Sequence, residues 1–227
     1  MSGKNKSAIK DIPNDAVFII GAGHFGNRSA HLLHQQGRKD VYIVDLDEKA
    51  LLKLDNIPFK SILYNGIQFL ADNFQDMNPS NIIVPALPVH LAYEWLKLYW
   101  HRTYDLEQIN APESIRSQVP LTWDGSEGSL LISYADFMCP DDCPEPDICT
   151  ISGERRSEPL YALLGNLELP GFKVHIIRSQ QLAPGLGGYQ VAELEKAAKQ
   201  VLQDQNIKWL LGTACKCHGV LSGFKIL

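Results

Sequence analysis

No apolar run in the 227-residue sequence is long enough to span a bilayer. Met1 to Asp15 is polar, carries Lys4, Lys6 and Lys10, and lacks the apolar core of a secretory signal. A soluble cytoplasmic protein without a membrane span is therefore expected. No basic stripe with interleaved aromatics occurs and the net charge is -5, which excludes a general attraction to nucleic acid or anionic membrane. There is no G-x-S-x-G, H-E-x-x-H or paired-carboxylate signature, and no Gly-Lys-Ser/Thr of an ATP-hydrolysing P-loop. Cysteine is scarce and odd in number, five residues, which argues against a disulfide framework and for free thiols, redox chemistry or metal. Fixed-period repeats, low-complexity tracts and Pro/Gly/Ser-rich linkers are absent too. One continuous domain over residues 15–227 is expected, in two halves (15–105 and 106–227) behind a flexible arm, 1–14, with two separate domains as the alternative.

What is present is ordinary globular material, 45% hydrophobic and 21% charged, arranged as alternating strands and helices. Ala16–Ile20 is a continuous apolar run, the pattern of a strand buried on both faces. A helix from His24 to about Gln36 follows, stopped by Gly37. Val41–Asp45 is a second strand, and Asp47 is placed to cap a helix through Ala50, Leu51 and Leu54. Ser61–Tyr64 and Asn81–Val84 are further strands, and Pro88 suits the first turn of a helix that puts Ala92, Trp95, Leu96 and Tyr99 on one face. The second half predicts strands at Leu130–Tyr134, Val174–Arg178 and Trp209–Thr213, with Val220–Leu227 as an added edge. A short helix capped by Ser157 and a strongly amphipathic one from Val191 to Leu202 lie between them, while Arg102–Gly128 and Cys139–Gly153 look irregular. The pattern suits an α/β fold, a doubly wound, mostly parallel Rossmann-like sheet with an irregular Cys-rich insertion.

Three constellations carry chemistry. In the first, Gly21, Gly23 and Gly26 form G-x-G-x-x-G, with His24 and Phe25 inside the loop. The loop follows a buried-type strand, opens a helix, and precedes a second strand that ends in Asp45. Gly21 allows a tight turn, Gly23 a close approach to a pyrophosphate, and Gly26 close packing of helix on strand. The helix N-terminus offers its N–H groups to the phosphates. The Asp45 carboxylate suits a ribose diol and repels a 2′-phosphate, so NAD is expected over NADP. A glycine-rich turn that binds no nucleotide is the plainer alternative. VFIIGAGHFGNRSAHLL followed by VYIVDLDEKALLKL resembles, over about residues 16–55, the N-terminal NAD-binding domain of the Trk-type or RCK potassium-uptake regulators. The resemblance implies a Rossmann half with Gly21, Gly23, Gly26 and Asp45 around a nucleotide.

In the second constellation Cys139, Cys143 and Cys149 have the spacing C-x3-C-x5-C in a proline-stiffened acidic loop, and Cys215, Cys217 and His218 form C-x-C-H. Soft thiolates gathered in this way suit zinc or an iron–sulfur cluster. Buried free thiols, or a reversible disulfide such as Cys139–Cys143, are the alternatives. In the third, Gly185, Gly187 and Gly188 precede a helix and suggest an anion nest, against a plain flexible loop. Arg155 and Arg156 fit an anion clamp or, more simply, a solvated pair. Together these point to an NAD(H)-binding redox- or nucleotide-responsive regulator with a Cys-ligated metal. The alternative is an NAD-dependent oxidoreductase with His90 or His175 as acid–base candidate. The partner is then a dinucleotide, with a homo-oligomer or a protein partner left open.

Overall fold

The computed structural model describes residue 9, residues 11–101 and residues 103–227. The chain divides into two compact units. The first runs to Leu91 and takes back Gln190–Ala192; the second holds Ala92–Tyr189 and Glu193–Leu227. The division lies earlier than the expected one near residue 105. Of the expected arm, residues 1–8 and 10 lie outside the described residues. The part that is described is tied down. The Ile9 N–H donates to Asn73 Oδ1 at 3.4 Å, Asn81 Nδ2 to the Pro13 carbonyl at 2.7 Å, and Ser80 Oγ to the Asn14 carbonyl at 2.6 Å.

The first unit contains β1 (Val17–Ile20), α1 (His24–Gln35), β2 (Val41–Asp45), α2 (Glu48–Leu52), β3 (Lys60–Leu63), α3 (Gly66–Asn73) and β4 (Ile82–Pro85). Its strands pair in parallel in the order β3-β2-β1-β4. The apolar runs explain the centre of the sheet. Val17–Ile20 and Val41–Val44 are buried throughout, and Phe18 stacks on Tyr42 with ring centroids 5.0 Å apart. β3 is the poorer strand, mostly exposed, because only one side of it is paired within this unit. Gly37 takes φ +74° just beyond α1, the left-handed stop expected of it. Asp47 caps α2, its Oδ1 accepting from the Lys49 N–H at 2.9 Å.

The second unit contains α4 (Leu91–Trp100, which begins at the boundary), β5 (Leu106–Ile109), β6 (Leu121–Asp124), β7 (Leu130–Ser133), α5 (Leu160–Gly165), β8 (Phe172–Arg178), β9 (Gln180–Ala183), β10 (Leu186–Gln190), α6 (Val191–Gln203), β11 (Lys208–Ala214) and β12 (His218–Ile226). A mixed sheet runs β6-β7-β12-β11-β8, with β5 also on β12. β8 and β11 are parallel, whereas β12 is antiparallel to β11, β7 and β5, and β6 is antiparallel to β7.

The molecule is thus α/β, but the single mostly parallel sheet expected from the sequence gives way to a second, largely antiparallel one. Strands buried on both faces look apolar throughout whichever way their neighbours run, so periodicity did not reveal direction. β12 is central, not an edge. Its Gly223 faces a neighbour so closely that a built Cβ would lie 2.5 Å from the Ile109 carbonyl oxygen. β5 and β6 occupy a stretch expected to be irregular; both are short and half-exposed, as antiparallel strands can be. Pro88 lies ahead of α4, and Pro159, not Ser157, precedes α5 without a side-chain cap. Leu194, Ala197 and Val201 give α6 its buried stripe.

Candidate functional site

In the first unit the chain leaves β1 through Gly21 at φ +112°, a conformation that favours glycine. A Cβ built there would stand 2.6 Å from the Ala86 carbonyl oxygen, because the loops after β1 and β4 lie against each other. Gly26, in the first turn of α1, is tighter still. Its built Cβ would lie 1.8 Å from the Gly21 carbonyl oxygen, so α1 rests directly on the loop. Gly23 is the opposite case: nothing lies within 4 Å of its built Cβ. Gly23 is the N-cap of α1, and no side chain caps the helix there. Gly23, His24 and Phe25 are exposed. Two glycines are thus required by the protein's own packing, and the middle one faces open space at a helix N-terminus.

Asp45, at the end of β2 and half-buried, points into this loop. Its Oδ2 accepts from the Ala22 N–H at 2.6 Å and its Oδ1 from the Asp47 N–H at 2.8 Å. Both oxygens are fixed by main-chain donors, so the carboxylate is oriented before anything binds. The sequence reading missed the apolar rim at this end of the strands. Phe25, Leu46 and Leu63 are 60%, 66% and 55% exposed, each next to or at the C-terminal end of a strand or in the loop after it. Their positions beside the glycine loop and Asp45 were the available signal.

The histidines named as acid–base candidates are both buried. Burial holds His90 down at about 3 and pushes His175 below its ordinary range, so both are neutral near neutral pH.

The second unit gathers the cysteines. β7 and β11 are both antiparallel to β12, so they run the same way and their C-terminal ends share one edge of the sheet. β8, parallel to β11, ends there too. The loop that carries Cys139, Cys143 and Cys149 follows β7, and Cys215–His218 is the turn from β11 to β12. Main-chain bonds join the segments: the Tyr134 N–H donates to the Cys217 carbonyl at 3.0 Å.

Cys139 Sγ lies 3.5 Å from His218 Nε2, and Cys215 Sγ lies 3.8 Å from His218 Nδ1. Arg156 Nη1 donates to Cys217 Sγ, and its guanidinium lies 5.6 Å from the Tyr134 ring centre. Arg156 is therefore part of the cluster while Arg155 is exposed, which corrects both readings of the pair. Two of the sulfurs sit in turns of one kind. Cys215 Sγ accepts from the N–H groups of Cys217 and His218 at 3.4 and 3.3 Å. Cys149 accepts from the N–H groups of Ile151 and Ser152 and from the Ser152 side chain, which brings its thiol down to about 7.

The other thiols move up. Burial, then the nearby Glu145 carboxylate, pushes Cys215 to about 12; burial raises Cys217 to about 11 against the pull of Arg156. Burial raises Cys139 as well, and Cys143 and Cys149 add to it. All five cysteines are free thiols, so the Cys139–Cys143 disulfide does not occur. Among the described residues no three His, Cys, Asp or Glu side chains are drawn tightly enough together to hold a single metal ion.

The third expected site is overturned. Gly185, Gly187 and Gly188 belong to a β9–β10 hairpin, not to an open loop at a helix N-terminus. Gly187 and Gly188 pair with Gln181 and Gln180. Gly185, at φ +71°, turns the hairpin after Pro184 and donates its N–H to the Cys143 carbonyl at 2.9 Å. No converging N–H groups remain for an anion nest. The hairpin instead holds the cysteine loop, since Gln181 Nε2 also donates to the Cys143 carbonyl at 2.9 Å.

No helix among the described residues is long and apolar enough to cross a membrane. Residues 90–227 match the AF_1314_C family, described as "Uncharacterized protein, C-terminal domain". An "Uncharacterized protein" of Archaeoglobus fulgidus is 30% identical over 223 residues, which cover 91% of this chain and 98% of that one.

Proposed function

The chain belongs to the AF_1314_C family, and on that footing we propose that its first unit binds NAD(H) in the Rossmann manner and that the protein is a nucleotide- or redox-responsive regulator. One observation carries the reading: the uncapped N-terminus of α1 opens at Gly23 beside the fixed carboxylate of Asp45. A pyrophosphate takes the helix end, where N–H groups and the dipole favour negative charge. A ribose diol takes the carboxylate, which rejects a 2′-phosphate.

The order β3-β2-β1-β4 supports the same reading. It is the order of a mononucleotide-binding half, and it reverses between β1 and β4, where such sheets bind ligands beyond their carboxyl ends. Phe25, Leu46 and Leu63 supply apolar surface for the adenine. The resemblance over residues 16–55 points the same way.

The oxidoreductase alternative needs a proton donor beside the nicotinamide, and neutral buried His90 and His175 are poor ones. NADH incubated with the intact protein and a series of electron acceptors should bind saturably and stay reduced. Sustained oxidation would replace the regulator by the oxidoreductase, and absence of binding would overturn both.

A further inference from the structure

The cysteine edge of the second unit forms a ligand set that is independent of the nucleotide reading. Cys139 lies within electrostatic reach of Cys143 and Cys149, and Cys217 within reach of Cys143 and Cys139. These four thiols thus form one connected group. Cys215 stands apart from it: its sulfur is turned to the N–H groups of its own turn, to His218, and to the Glu145 carboxylate. An acid beside a thiolate opposes the gathering of further negative charge there.

Cys217 has the opposite surroundings, with the guanidinium of Arg156 on its sulfur. Cys149 has three donors on its sulfur, and Cys143 is pinned through its carbonyl by the β9–β10 hairpin. Donors aimed at sulfur are what a charged thiolate centre uses to offset its negative charge.

The spread of the four decides the type of centre. Sulfurs around one zinc at about 2.3 Å lie only about 3.8 Å apart. No three groups of the described residues gather that closely, although these thiols sense one another. A polynuclear centre needs a wider cage. Three closely spaced cysteines with a distant fourth is also how ferredoxin-type clusters are held.

We propose that Cys139, Cys143, Cys149 and Cys217 ligate an iron–sulfur cluster of the four-iron type, with Arg156 as a positioning residue on the Cys217 sulfur and Cys215 outside the ligand set.

The test is iron, sulfide and zinc content of the full chain purified without oxygen, and again after incubation with ferrous iron and sulfide. The unmodified protein should hold about four iron and four sulfide per chain, with the broad absorbance of thiolate-bound iron. Cys217→Ser should lose more than half of the iron, and Cys215→Ser should keep it. Arg156→Gln should keep the iron but shift the reduction potential, whereas Arg156→Lys should restore it in part. Stoichiometric zinc without sulfide overturns the cluster. Iron lost from Cys215→Ser but kept in Cys217→Ser overturns the ligand set. The unmodified protein alone decides the first point, should a variant fail to fold.

Discussion

Replacing Gly26 by alanine is expected to unfold the first unit, while the same replacement at Gly23, three residues earlier, leaves it folded and removes nucleotide binding. The Gly26 Cβ would fall 1.8 Å from a backbone oxygen of Gly21. No flexible side chain can give way there, so α1 must lift off β1, uncovering Ala30 and Leu33, both buried beneath it. Overpacking against backbone of this kind costs about 3 kcal/mol or more, a large share of the stability of a small unit.

Gly23 has φ −64° and no neighbour within 4 Å of a built Cβ, so alanine fits the folded protein within about 0.5 kcal/mol. Its methyl group would occupy the space through which a pyrophosphate meets the helix end. Thermal unfolding and NADH titration of the two variants separate the effects. Gly26→Ala should lower Tm sharply. Gly23→Ala should keep Tm and bind NADH at least about tenfold more weakly, a loss of about 1.4 kcal/mol. A Gly23→Ala protein with unchanged NADH affinity would show that the open space is not the phosphate site.

Asp45→Ala is expected to erase cofactor preference. The carboxylate accepts two main-chain bonds, so its removal also loosens the turn, at about 1.5–3 kcal/mol per charge-assisted bond before relaxation. The informative quantity is therefore the ratio of the NADPH to the NADH dissociation constant, in which loop effects common to both cofactors cancel. NADH should weaken by about tenfold or more through the lost ribose bonds. NADPH, relieved of repulsion at its 2′-phosphate, should weaken less or tighten, bringing the ratio toward one. A ratio unchanged by the substitution would place the ribose elsewhere.

Much of this was legible in local chemistry. Val17–Ile20 and Val41–Val44 announced the buried centre of a parallel sheet, Asp47 its helix cap, and Gly21, Gly23 and Gly26 a loop whose outer two glycines are sterically required. The meeting of Cys139 with the Cys215–His218 turn followed from each lying just past a strand, and it survived an error about the sheet. Both flanking strands oppose β12, so they agree in direction as parallel neighbours would.

What stayed hidden depends on pairing remote in sequence. Gly187 and Gly188 looked like a nest because nothing local reveals that Gln180 and Gln181 pair with them, although Pro184-Gly185 was a hairpin signal. Arg156 was taken as one of a solvated pair because its partner, Cys217, is 61 residues away. The apolar rim of Phe25, Leu46 and Leu63 passed as ordinary core until its exposure was visible.

The central claim is that the edge formed by Gly21–Gly26 and Asp45 is an NAD(H) site. Calorimetric titration of the intact, unmodified protein with NADH and with NADPH tests it most directly. The account predicts one NADH per chain, bound at least about tenfold more tightly than NADPH. Equal affinity for the two, or no heat of binding with either at millimolar concentration, would contradict it.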